Sequence, residues 1–162
     1  MNIAIVTGAS SGMGREFVRQ LSGYVSVDEI WAVARRASAL ETLKAEASVP
    51  VRPIVLDLLE ASSFTELEAL LESEKPNVKL LVNAAGFGKF GRYDQIPLAD
   101  SLKMIDLNCK ALLLMTRLCV PYMQPGSHIL ELDSLSAFQP VPYITTYAAT
   151  KAFVLSYSRS MN

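Results

Sequence analysis

The chain has 162 residues, 51% hydrophobic and 19% charged, with 15 basic and 16 acidic side chains and a formal net charge of −1. That length suits one domain, residues 1–162, with an ordinary core, and the apolar fraction excludes a disordered chain. Near-neutral charge excludes a broad electrostatic footprint for nucleic acid or an anionic membrane surface. No apolar run approaches the ~20 residues that cross a bilayer. The start, MNIAIVTGAS, has neither a basic leader nor a cleavable signal. Cys109 and Cys119 lie in one apolar stretch, poor material for a disulfide framework. A soluble cytoplasmic protein with reduced cysteines is the expectation.

In chain order, residues 2–6 (NIAIV) form a short apolar strand, and residues 12–22 follow with helical spacing of Met13, Phe17, Val18 and Leu21. Residues 29–34 (EIWAVA) read as a second strand. Residues 37–47 hold Ala, Leu, Glu and Lys, all good helix formers. Residues 51–56 form a third strand, with Pro53 weakening its interior pairing. Ser62 or Ser63 caps a helix over residues 64–73, with Glu66 placed as a capping-box partner of Ser63. Residues 78–82 (VKLLV) are a fourth strand, followed by a loop containing Gly86, Gly88 and Gly91. Pro97 opens a long helical region to about residue 123, stopped by Pro125-Gly126. Residues 128–132 (HILEL) form a fifth strand, and a last helix starts near Thr145. Strands this apolar, alternating with helices, belong to a parallel sheet covered on both faces. Right-handed crossovers make it a doubly wound α/β sheet.

Strand one runs directly into TGASSGMG, residues 7–14, and then into a helix. Gly8, Gly12 and Gly14 remove side chains where a phosphate must approach the backbone. The helix N-terminus supplies N–H groups and a favourable dipole, and the Ser10 and Ser11 hydroxyls and the Met13 backbone lie in the same loop. A tight turn needing positive φ is the alternative reading. In dinucleotide folds an acid after strand two binds the ribose 2′-hydroxyl, whereas an arginine accommodates a 2′-phosphate. Here strand two ends Ala34-Arg35-Arg36, which favours NADP(H) over NAD(H). Asp57, after strand three, either contacts the adenine or closes a loop. Asn83-Ala84-Ala85-Gly86, after strand four, leaves room for a flat ligand or makes an ordinary turn.

Tyr147 and Lys151 are four apart at the start of the last helix, on one face and ~6 Å apart along the axis. A free phenol, with a pKa of ~10, is a poor acid at neutral pH, and a fixed ammonium nearby favours its ionised form. Lys151 can thus tune Tyr147 as a general acid. Ser134, at the end of strand five, can hydrogen-bond a substrate oxygen. Asn108, a polar amide in an apolar helix, needs a partner if buried. Each of these has a plain structural alternative: a helix face, a turn, a satisfied core amide or a helix kink.

Together these residues resemble the short-chain dehydrogenases/reductases, in the branch with the TGxxxGxG glycine motif. The match runs through residues 7–14, residues 83–86, Asn108, Ser134 and Tyr147-xxx-Lys151. The resemblance implies a Rossmann-like sheet, here strands one to five in the order 3-2-1-4-5. It implies Tyr147 as proton donor, Ser134 as a brace for the substrate carbonyl, and Lys151 as ribose ligand and tuner of the tyrosine. It implies Asn108 as holder of a relay water, and Asn83, Ala84 and Gly86 as lining of the cofactor cleft. No metal is called for. The function implied is NADP-dependent interconversion of a small-molecule carbonyl and a secondary alcohol. The alternative is a nucleotide-binding or interaction module of the same fold without turnover. The resemblance also implies a homo-oligomer through helices around 108–123 and 145–162. Members of the family continue past the position of Asn162 with further strands and a substrate-covering loop, so the chain reads as a fragment or a truncated form.

Overall fold

The computed structural model describes residues 1–161; Asn162, where the expected interface helix ends, lies outside the described residues. Five strands, β1 (Asn2–Thr7), β2 (Glu29–Ala34), β3 (Val51–Val55), β4 (Asn77–Asn83) and β5 (His128–Glu131), form one sheet in the order β3-β2-β1-β4-β5. Every pairing is parallel. Among the described residues, five α-helices lie between the strands, α1 (Gly12–Gln20), α2 (Ala37–Glu46), α3 (Ala61–Glu74), α4 (Leu98–Ile105) and α5 (Leu112–Cys119), and α6 (Thr145–Ser160) follows β5. The strand order reverses between β1 and β4, so the loops leaving those strands diverge and open a crevice at the carboxyl edge of the sheet.

Side-chain alternation builds two cores. Ile3, Ile5, Trp31, Val33, Val78 and Leu81 face α3 and α5, meeting Leu67, Leu71, Met115 and Cys119. Ala4, Val6, Ile30, Ala32 and Val82 face α1 and α2, meeting Val18, Leu40 and Leu43. β1 and β2 are therefore almost wholly buried, which explains their unbroken apolar sequence. β5 differs: its burial alternates between half-buried and exposed, because it forms the edge beside β4.

Several expectations are corrected. The helix expected over residues 12–22 stops at Gln20 and tightens to a 3₁₀ turn at Leu21–Gly23. The helix expected over 64–73 begins earlier, at Ala61, with Glu60 at the cap position and no side-chain cap bond; Ser63 lies buried inside it. Its entry is organised by Asp57, whose carboxylate accepts from the Leu59 N–H at 3.0 Å and whose carbonyl accepts from the Glu60 N–H at 2.9 Å. The long helical region after Pro97 is not uniform. A π segment, Asp106–Ala111, separates α4 from α5, and a 3₁₀ turn, Val120–Tyr122, contains Pro121. Pro53 is paired in register with Ala32, tolerated because β3 is the outermost strand on its side. β5 stops at Glu131, and Ser134 just beyond it caps a 3₁₀ turn at Leu135–Phe138.

Candidate functional site

The crevice at the β1–β4 divergence is a cleft of about 350 Å³ whose wall includes Gly8, Ser10, Ser11, Gly12, Met13 and Gly14 from the glycine loop. The three glycines do different work. Gly8 has φ +67°, and a Cβ there would sit 2.9 Å from the Ala85 nitrogen. A Cβ at Gly14 would sit 2.6 Å from the Gly8 carbonyl oxygen, so only glycine lets α1 start against the loop. Gly12 has φ +55° and open space beyond its Cα, as close approach by a ligand requires. Ser11 stands at the N-cap of α1 with an extended backbone and no side-chain cap bond, leaving the first-turn N–H groups unclaimed by a cap. Thr7 ties this loop to the next: its hydroxyl accepts from the Ala85 N–H at 3.0 Å.

Arg35 lies on the cleft wall and pairs with Asp57 at 3.7 Å. Arg36 turns to the loop itself, donating to the Ser10 carbonyl and hydroxyl at 3.2 and 3.3 Å. Asp57 thus reaches the cleft and also closes its own turn. Ala84, Ala85 and Gly86 form the opposite wall. Asn83 is not among the residues that wall this cleft. Its buried amide donates to Thr116 Oγ1 at 3.1 Å and to Glu131 Oε1 at 3.2 Å. The side chain pins the end of β4 to α5 and β5.

The π segment carries Asn108, which is 1% exposed. Its Nδ2 donates to the Phe87 carbonyl at 2.9 Å and to Thr150 Oγ1 at 3.0 Å, and its Oδ1 accepts from the Phe87 N–H at 3.0 Å. Both donors of the amide are used on protein. The side-chain amide could meet a water only through the remaining lone pair of Oδ1. A π-bulge of this kind is a recurrent feature of functional sites, because it re-aims one side chain without ending the helix.

Tyr147 and Lys151 occupy the first turns of α6. Lys151 is 7% exposed, and its Nζ donates to the Leu132 carbonyl at 2.6 Å, 5.8 Å from the centroid of the Tyr147 ring. Burial holds Lys151 below the ordinary lysine range, against the opposing pull of Asp133 and, after it, of Cys109 and Glu131. Ser134 Oγ accepts from the Ser136 N–H at 3.2 Å and lies 3.0 Å from the Ser136 hydroxyl. The structure therefore brings Asn108, Lys151 and Tyr147 together and sets Ser134 two residues beyond the carbonyl that holds Lys151.

Sequence reasoning missed three contributors. Thr150 anchors Asn108, and its hydroxyl donates to the Tyr147 carbonyl at 2.7 Å. Gly88 touches the Tyr147 ring: a Cβ there would fall 2.9 Å from Cδ2. Glu131 lies within the field of Lys151, and burial raises it above the usual carboxylate range. Thr150 was legible as the neighbour of Lys151. The other two depend on contacts between distant segments.

A sequence profile of the short chain dehydrogenase family matches residues 2–162. The chain belongs to the short-chain dehydrogenase family. It is 34% identical over 174 residues to a very-long-chain 3-oxoacyl-CoA reductase of Aspergillus oryzae, covering 98% of this chain and 48% of the reductase. It is 32% identical over 166 residues to an NADP-dependent 3-hydroxy acid dehydrogenase of Escherichia coli, covering 98% of this chain and 64% of that protein. Among solved structures, a short-chain dehydrogenase from Sphingobium yanoikuyae in complex with NADPH superposes with a TM-score of 0.87 at 28% identity, covering all of this chain and 65% of that one. The chain thus spans about half to two-thirds of these relatives. Among the described residues, no helix is long and apolar enough to cross a membrane.

Proposed function

We propose that the protein is an NADP-dependent oxidoreductase that interconverts a carbonyl and a secondary alcohol. The observation that carries the reading is the buried Lys151 ammonium, fixed on the Leu132 carbonyl and set 5.8 Å from the Tyr147 ring. A cation buried beside a phenol, at the same sheet edge as a glycine-rich phosphate cradle, has a use in proton transfer that a helix face lacks. The cradle fits a dinucleotide: Gly12 leaves space for close approach, the α1 N-terminus offers N–H groups, and Arg35 borders the cleft with a guanidinium suited to a 2′-phosphate. When bound, a reduced nicotinamide supplies the hydride. Gly8, Ser10, Ser11, Gly12, Met13, Gly14, Arg35, Arg36, Asp57, Ala84, Gly86 and Lys151 hold the cofactor.

In the reductive direction Tyr147 hands its hydroxyl proton to the substrate oxygen. Ser134 donates a hydrogen bond to that oxygen as negative charge develops on it. Lys151 stabilises the phenolate left behind. Asn108 holds the Phe87 backbone and Thr150 in register, so its part is to fix the ground on which Tyr147 and Lys151 stand. The NADPH complex of one structural relative and the NADP-dependence of one sequence relative support the choice of cofactor. We also propose self-association through the helices around 108–123 and α6, where Val120 and Phe153 remain exposed.

The test uses the full-length protein, NADPH or NADH, and a panel of ketones that includes a 3-oxoacyl-CoA, with a 3-hydroxy acid for the reverse direction. Turnover is expected, with NADPH bound more tightly than NADH and the difference reduced in Arg35→Asp. Equal affinities would contradict the cofactor assignment. Tight cofactor binding with no turnover on any compound would favour a binding module.

A further inference from the structure

We propose that Gly88 is a positioning residue for Tyr147: the loop between β4 and α4 presses its backbone against the phenol ring there and so sets where the hydroxyl points. The inference rests on the reading of Tyr147 as proton donor.

The contact is close and one-sided. A Cβ on Gly88 would lie 2.9 Å from Tyr147 Cδ2, 3.1 Å from Cγ and 3.3 Å from Cε2. Carbon atoms in contact prefer ~3.5–4.0 Å, so a single methyl would force the ring or the loop to yield by roughly half an ångström or more. Gly88 is not required by its own backbone: the glycines with left-handed φ are Gly8, Gly12 and Gly126. The ring is the reason a side chain is excluded.

Neither partner is free to move. The residue before Gly88 is clamped on both sides, because Asn108 accepts from the Phe87 N–H and donates to the Phe87 carbonyl. Three residues later the Gly91 N–H donates to the Tyr143 carbonyl at 2.8 Å. The loop is thereby fastened to the π segment on one side and to the entry of α6 on the other. Tyr147 sits in the first turn of α6, where a helix alone holds its residues least firmly. A fixed loop against the ring supplies the missing constraint. It also gives Asn108 a purpose beyond its own hydrogen bonds, since the amide that clamps Phe87 sets the height of Gly88. Gly91 is the natural control, because a Cβ there would meet only an Ile96 side-chain carbon at 3.4 Å.

The experiment compares Gly88→Ala, Gly91→Ala, Tyr147→Ala, the double variant Gly88→Ala with Tyr147→Ala, and the control pair Gly91→Ala with Tyr147→Ala in the full-length protein. Thermal unfolding needs no substrate. Gly88→Ala is expected to lower the melting temperature in the parent and to cost much less once the ring is gone, whereas Gly91→Ala costs the same in both backgrounds. An equal cost for Gly88→Ala in both backgrounds overturns the proposal. If Gly88→Ala alone fails to fold, recovery of folding in the double variant carries the same information. Fluorine NMR of 3-fluorotyrosine-labelled protein, with the Tyr147 signal identified by its loss in Tyr147→Phe, is expected to shift in Gly88→Ala and not in Gly91→Ala. An unmoved signal overturns the proposal. With NADPH and any ketone the parent turns over, kcat of Gly88→Ala is expected to fall roughly 10- to 100-fold, as for a donor misplaced by a fraction of an ångström to an ångström. NADPH affinity is expected to stay at the parental value. Parental turnover in Tyr147→Phe overturns the donor reading. Loss of turnover in Tyr147→Phe with parental kcat in Gly88→Ala overturns the positioning role alone.

Discussion

Glu131 carries a carboxyl group into a place that solvates it poorly. Oε1 accepts from Asn83 and from Thr116, but Oε2 is buried without a partner, as is Oδ1 of Asn83. Burial raises its pKa above the usual carboxylate range, against the donors of Thr116 and Asn83 and the charge of Lys151. The folded state therefore binds this proton more tightly than the unfolded chain. The stability linked to it is fully present below the unfolded pKa of ~4.3 and is lost as pH rises through the higher folded value. Glu131→Gln keeps both donors engaged and removes the charge. We expect it to be more stable than the parent at about pH 7, with the advantage fading towards pH 4; denaturant midpoints across that range would show it. An advantage that grows on acidification would contradict the assignment. At this scale the sequence shows chemistry that travels with spacing: Tyr147 with Lys151, and the glycines with a strand–helix junction. It hides Gly88 against Tyr147 and Asn83 against Glu131, since nothing in either local pattern names a partner from a distant segment.

The π segment is the element that decides the site. The extra residue in its turns places Asn108 where the amide meets Phe87 from β4's loop and Thr150 from α6. Asn108→Ala leaves the Phe87 N–H and carbonyl without that partner in a half-buried setting, a loss worth about 1 kcal/mol or somewhat more. We expect unfolding free energy to fall by that order and hydrogen exchange at the Phe87 amide to accelerate, while amides of β1 keep their protection. Unchanged Phe87 exchange would show that the clamp does not hold the loop. Helices and strands were legible because apolar spacing distinguishes them. The π segment was not: its composition is that of the helices around it, and only the shifted hydrogen bonds mark it. The entry of α3 was misread for a related reason, since Asp57 outcompetes Ser62 and Ser63 by closing the preceding turn with its own carboxylate and carbonyl.

Across the whole molecule, the reversal of strand order between β1 and β4 gathers the glycine loop, the Ala84–Gly86 wall and the start of α6 at one sheet edge. That gathering was legible, because apolar strands alternating with helices permit few sheet topologies. The half-exposed character of β5 was not, because HILEL reads as an interior strand until its place beside β4 alone is known. Leu130 on the edge strand β5 is 40% exposed, and Val120 and Phe153 on the helices are exposed as well; apolar surface of this kind favours association. Sedimentation of the 162-residue chain at several concentrations is expected to show mass rising with concentration, and a constant monomer mass would contradict self-association. The central claim is that Tyr147, set beside Lys151, delivers the proton in carbonyl reduction. The most direct measurement is turnover of the full-length protein and of Tyr147→Phe, followed by consumption of NADPH, with the NADPH dissociation constant determined for both. Turnover is expected to fall by roughly 10²–10⁴-fold, as for loss of a general acid, with NADPH affinity retained. Turnover within about tenfold of the parent would contradict it and assign the proton to another group.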